Sequence, residues 1–168
     1  MKFSKAILAN GFSVIADIKP RSPEHGDLLR GRSPAEIALA LEAAGCPCLT
    51  NVTESKLFGG SLEILQSICR AVKIPVLRKD FISTAEDLKA SKSAGAAAVL
   101  IICSSMPPEK AELLYRQSLE MELEPMVEVL TARDVHRAQE LGVNGVLVGS
   151  ALLLAEDLAG RYREFTRG

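Results

Sequence analysis

The chain reads as an α/β protein with parallel strands, and three observations lead there. Short apolar runs alternate with longer stretches of helical period along all 168 residues. No tight Asn-Gly or Asp-Gly turn joins one strand run directly to the next, so each strand has to be reached by a crossover. Strand runs such as Ala97 to Ile102 are apolar at successive positions, as expected when both faces of a sheet are covered.

In order, the strands are expected at Val14 to Lys19, Cys48 to Val52, Pro75 to Lys79, Ala97 to Ile102, Pro125 to Val129 and Gly145 to Gly149. The helices fall between and after them, at Pro34 to Ala44, Ser61 to Val72, Thr84 to Ala94, Pro108 to Met121, Thr131 to Leu141 and Ala155 to Phe165. Ser33-Pro34, Ser83-Thr84-Ala85-Glu86 and Thr131-Ala132-Arg133-Asp134 each offer a hydroxyl cap with a carboxylate in or near the first turn, where it can meet unpaired N–H groups. Gly45, Gly95 and Gly142 follow the last periodic residue of a helix, where a left-handed residue closes it. Their spacings of 50 and 47 residues correspond to two strand-helix units each, a weak internal repeat.

Composition excludes several classes of function. Twenty Lys plus Arg against 21 Asp plus Glu leave a net charge of −1, which supplies no electrostatic footprint for nucleic acid. With 48% hydrophobic and 24% charged residues the chain is expected to bury one core, as a single domain over residues 1–168. No apolar run approaches the roughly 20 residues of a membrane span, and Met1 to Lys5 lead into no signal-like stretch, so a cytoplasmic location without membrane partners is expected. Cys46, Cys48, Cys69 and Cys103 form no metal-spaced cluster and read as reduced thiols; Cys46 and Cys48 are expected on one strand face, and Cys103 at a strand end keeps some scope for reactivity.

Two architectures fit, a doubly wound sheet or a barrel of βα units. The length is below the roughly 200 residues at the low end for an eight-unit barrel, and no Gly-x-Gly-x-x-Gly follows the first strand. Either architecture places ligands at the carboxyl ends of the strands. There the first strand carries Asp17 and Lys19 on one face, the third ends Arg78-Lys79-Asp80-Phe81, and the fifth carries Glu128. Asp17 with Lys19 also reads as a structural ion pair. Lys79 and Glu128 stand alone in apolar strands, where burial would tune them as an acid and base pair. Gly149-Ser150, at a strand-to-helix turn, suits an anion but also reads as an ordinary turn. Phe58 and Phe81 either line an apolar pocket or cap the core. His25 is expected near the ligand face, and His136 on a helix surface.

Together these segments resemble indole-3-glycerol phosphate synthase, an enzyme of tryptophan biosynthesis. The likeness runs in order through Val14-Ile15-Ala16-Asp17-Ile18-Lys19 with Ser22-Pro23, Leu49 to Glu54 with Leu57-Phe58-Gly59-Gly60-Ser61, and Pro75 to Ile82. It continues through Gly95 to Ile102, Glu124 to Val129 and Leu141 to Leu152. The resemblance implies a TIM-barrel type of fold and a lyase that closes the pyrrole ring of a carboxyphenylamino-deoxyribulose phosphate with loss of carbon dioxide and water. It implies Lys79 as general acid on the ketone, Glu128 as general base in the dehydration and Lys19 as the anchor of the substrate carboxylate. It further implies that Asp17 orients that lysine, that Phe58 and Phe81 line the anthranilate pocket, and that Ser22, Gly149 and Ser150 bind substrate, the last two at its phosphate. No cofactor or metal is implied.

Three departures accompany the resemblance. Asp17 stands where the family has glutamate, the sixth and seventh βα units are missing, and few residues precede the first strand. The expectation is about six units forming an incomplete or rearranged barrel, whose unpaired edges favour a homo-oligomer. The competing functional class is a non-catalytic phosphate-ligand-binding or assembly protein derived from that enzyme.

Overall fold

The computed structural model describes residues 2–9, 14–129, 131–140, 142 and 146–148. In chain order its elements begin α1 (Phe3–Leu8), β1 (Ala16–Ile18), β2 (Arg21–Ser22), β3 (Gly26–Asp27), α2 (Pro34–Ala43), β4 (Leu49–Val52) and α3 (Leu62–Ala71). They continue β5 (Val76–Lys79), α4 (Ala85–Ser93), β6 (Ala98–Ile102), a single 3₁₀ turn, α5 (Pro108–Glu120), β7 (Glu124–Val129), α6 (Ala132–Glu140) and β8 (Val146–Val148).

Six strands lie side by side in the order β1-β4-β5-β6-β7-β8, every pair parallel. This decides between the two architectures. A doubly wound sheet reverses its strand order at a switch point and carries helices on both faces, whereas here order never reverses. Helices α2 to α5 also pack on one face, where Ala38, Leu65, Ile68, Leu88 and Leu114 meet Ile18, Leu49, Val76, Val99 and Ile101. The sheet is thus of TIM-barrel type, and among the described residues β8 and β1 do not pair, so the barrel is incomplete.

The caps form for the reasons their residues suggest. Ser33 accepts from the Glu36 N–H while the Glu36 carboxylate takes the Ser33 N–H at 2.9 Å, and Thr84 with Asp87 repeats this capping box on α4. Gly45 and Gly95 turn the chain at φ 90° and 93°, a left-handed geometry that disfavours side chains.

Three features depart from expectation. The loop after β1 holds an antiparallel hairpin, β2 with β3, because two-residue strands leave no periodic signature. The few residues before β1 form helix α1, which buries Phe3 and Ala6 on the inner face against Cys48, Leu77, Ala98 and Leu100. Ser4 ties it there, donating from N and Oγ to the Glu124 carboxylate at the start of β7. Cys46 and Cys48 do not share a strand face: β4 begins at Leu49, Cys46 packs on the helix side, and only Cys48 faces inward. The sixth expected helix, Ala155 to Phe165, lies outside the described residues.

Candidate functional site

The alternation of β5 sends successive side chains to opposite layers. Arg78 goes to the helix side, and Lys79 goes to the inner face at the carboxyl end of the strand. The same alternation brings Asp17 of β1, and Lys19 directly after it, to that face. A cleft of about 440 Å³, partly open to solvent, lies there, with Val52, Leu100 and Ile102 among its apolar lining. Its polar and aromatic lining is Asp17, Lys19, Glu54, Phe58, Lys79, Asp80 and Phe81. The structure therefore gathers five of the expected residues at one place. Both phenylalanines line the cleft, Phe58 half-buried and Phe81 exposed.

Two lining residues, Glu54 and Asp80, were missed by sequence reasoning as cleft components, and both are committed acceptors. Glu54 takes the N–H groups of Lys56, Leu57 and Phe58 at 2.8, 2.7 and 3.2 Å. Burial pushes its carboxyl up, but these three donors outweigh that and hold it below its ordinary value. Asp80 accepts from the Arg78 guanidinium at 2.9 Å, the Thr53 hydroxyl at 2.5 Å and the Phe81 N–H at 2.8 Å. The signal that could have found them is position: Asp80 follows directly on the end of β5, and Glu54 lies two residues past the end of β4.

Asp17 and Lys19 do not pair. Asp17 accepts from the Thr50 hydroxyl on the neighbouring strand, and the Lys19 ammonium stands 5.7 Å from the centre of the Phe58 ring, within cation–π range. Phe58 is held by its loop: Arg21 N–H donates to the Phe58 carbonyl at 3.1 Å, and the Arg21 guanidinium to the Lys56 carbonyl at 2.6 Å.

Lys79 is exposed, where burial was expected, because the inner face lies open at the strand end. Glu128 is half-buried and does not line the cleft itself, but it pairs in register with Ile102, which does, and shares a face with Met126. Two strand steps separate β5 from β7, about 10 Å, and the register adds about 7 Å along the strands, so a ligand between Lys79 and Glu128 would span a small molecule's length. Among the described residues neither the Lys79 ammonium nor the Glu128 carboxylate has a hydrogen-bond partner.

Ser22 is not at the cleft. It is buried in the hairpin, where its Oγ accepts the His25 N–H at 3.1 Å and lies 3.4 Å from His25 Nδ1. His25 itself is exposed, as is His136. Gly149 and Ser150 lie outside the described residues. All four cysteines are free. Burial raises the Cys103 thiol, with Asp134 adding to it and Arg137 opposing, which argues against a reactive role.

A sequence model described as indole-3-glycerol phosphate synthase matches residues 1–143. A protein of that name from Thermococcus kodakarensis is 40% identical over 131 residues, covering 78% of this chain and 55% of the relative. One from a Nocardioides species is 37% identical over 157 residues, covering 91% of this chain and 60% of the relative. The chain therefore spans little more than half the length of these relatives. Among solved structures, a 3-hexulose-6-phosphate synthase from Salmonella typhimurium superposes with a TM-score of 0.60 at 20% identity, over 92% of this chain and 72% of that one. At that identity it speaks for the fold alone.

Proposed function

The chain belongs to the indole-3-glycerol phosphate synthase family, and from that premise we propose that its cleft performs the ring closure of a carboxyphenylamino-deoxyribulose phosphate. The carrying observation is which groups are left uncommitted. The Asp17, Glu54 and Asp80 carboxylates already accept hydrogen bonds from protein donors, whereas the side chains of Lys79 and Glu128 have no partner among the described residues and the Lys19 ammonium meets only an aromatic ring. Two ammonium groups and one carboxylate on one concave face are suited to an anionic substrate that needs both an acid and a base.

In this reading Phe58 and Phe81 bracket the anthranilate ring while Lys19 holds its carboxylate. The Lys79 ammonium donates a proton to the ketone oxygen as the carboxylate-bearing ring carbon attacks the carbonyl carbon. Carbon dioxide then leaves, and its bonding pair restores the aromatic ring. Glu128 removes a proton from the neighbouring methylene carbon while the Lys79 ammonium, reprotonated from solvent, supplies the proton with which the new hydroxyl departs as water, which completes the indole. Asp17 keeps Thr50 and β1 in place beside Lys19. Ser22 contributes through the hairpin rather than by contact, and Gly149 with Ser150 would hold the phosphate. The chemistry calls on no cofactor or metal.

The cleft is walled by four strands of a six-stranded sheet that does not close among the described residues, so a rate below that of a closed barrel is expected. The edge of β1, unpaired among the described residues, favours a homo-oligomer, measurable by light scattering. The free thiols suit a reducing, cytoplasmic setting, and no described helix is long and apolar enough to cross a membrane. The test is indole fluorescence on the family substrate beside Lys79→Ala. Loss of the acid is expected to cost on the order of 10²- to 10⁴-fold in rate. Equal rates in both proteins would refute the assignment. No turnover, together with heat on titrating a substrate analogue, would favour the binding-only class.

A further inference from the structure

On the helix side of the sheet, directly behind the cleft, lies Arg78, the one charged residue that is buried among those described. Its guanidinium is almost completely used. Nε donates to Thr53 Oγ1 at 2.8 Å, and Nη1 to the Asp87 carbonyl at 3.0 Å and Ser91 Oγ at 3.1 Å. Nη2 donates to Asp80 Oδ2 at 2.9 Å. The acceptors belong to three different pieces of chain: the end of β4, the residue after β5, and helix α4.

The backbone on both sides of Lys79 is tied into this cluster. Thr53, which bonds Arg78, donates its own N–H to the Lys79 carbonyl at 3.0 Å. Asp80, which bonds both Arg78 and the Thr53 hydroxyl, turns its other oxygen to the Phe81 N–H. A planar fork with fixed donors holds such a set of acceptors in one geometry, which a flexible ammonium cannot do. Lys79 itself has no side-chain partner among the described residues. The location of its ammonium is therefore set by its backbone and by what holds that backbone.

We propose that Arg78 is a positioning residue: acting through Thr53 and Asp80 from behind the sheet, it sets where Lys79 and Phe81 stand in the cleft. This rests on the reading of Lys79 as the acid. It also means that Asp80, though it lines the cleft, serves as a fixed counter-charge and not as a base, since its oxygens are already engaged by three donors.

The experiment uses Arg78→Lys, Thr53→Val and Thr53→Ser in the full chain. Valine keeps the shape of threonine but removes the hydroxyl that links Arg78 to Asp80, and serine restores it. Steady-state kinetics on the family substrate are expected to show kcat reduced roughly 10- to 100-fold in Arg78→Lys and Thr53→Val, because a misplaced acid loses alignment. KM should stay within about threefold, and Thr53→Ser should lie near wild type. Separately, lysines carrying ¹³C-dimethyl labels are observed by NMR, with the Lys79 signal assigned through Lys79→Arg and Lys110 as a surface control. The Lys79 signal should move in Arg78→Lys and Thr53→Val while that of Lys110 does not. If kcat and the Lys79 signal both stay at wild type while only the melting temperature falls, the cluster is merely structural and the proposal is overturned. If wild type shows no turnover but the Lys79 signal still responds, positioning stands and the catalytic reading fails. If neither responds, both fail.

Discussion

Removing the Asp80 carboxylate is the sharpest test of how the cleft is held. Asp80→Ala leaves the Arg78 guanidinium in place, with its side chain 8% exposed, and takes away an anion whose own side chain is 17% exposed. Breaking a buried pair from one side typically costs 3–5 kcal/mol, because the remaining ion keeps its desolvation penalty without the attraction. The Thr53 hydroxyl and Phe81 N–H lose their acceptor as well. Against a total stability of about 5–15 kcal/mol this is a large fraction, and it corresponds to a fall of roughly 6–20 °C in Tm for a chain of this size. The assay is urea unfolding followed by circular dichroism, run on Asp80→Ala, Arg78→Met and the double variant. In the double variant no unpaired charge stays buried, so it should be no less stable than Asp80→Ala alone. A cost for Asp80→Ala below about 1 kcal/mol, or simple additivity of the two single changes, would refute the account of a closed ionic cluster.

Three further outcomes are expected. Asp87 is pushed up by burial but pulled further down by the Ser83 and Thr84 donors and by Arg78, so its folded-state value lies below its unfolded one. Its contribution is therefore present above about pH 4 and lost as pH falls through the folded value, and acid titration of stability should be flatter in Asp87→Asn. Gly60→Ala would place a Cβ 2.1 Å from the Val52 carbonyl oxygen and 2.7 Å from Thr53 Cα, backbone atoms that cannot yield, so thermal melts should show a loss of about 1–3 kcal/mol or more. Burial raises the Cys69 thiol to about 11, and at pH 8 it should react with a thiol reagent about 100-fold more slowly than an ordinary cysteine, with the difference abolished in urea.

The order and type of the sheet's elements were legible because they rest on local rules. Apolar runs of strand length, hydroxyl caps at Ser33 and Thr84, and closing glycines at Gly45 and Gly95 each act within a few residues, so the sequence determined six parallel strands with helices between them. It also determined which residues stand at strand ends, since a period of two puts Asp17 with Lys19 and separates Arg78 from Lys79. Periodicity alone left a barrel and a doubly wound sheet both open, and the family resemblance pointed to the barrel. The strand order and helix side that show it belonged to the tertiary structure, because they depend on which distant elements meet. So did the exposure of Lys79, the removal of Ser22 into a hairpin, and the separation of Asp17 from Lys19 by Thr50 and Phe58. These outcomes turn on competition among donors from remote segments. Thr53, Asp80 and Asp87 are 25, 2 and 9 residues from Arg78, and only packing reveals that one buried guanidinium joins them behind the cleft.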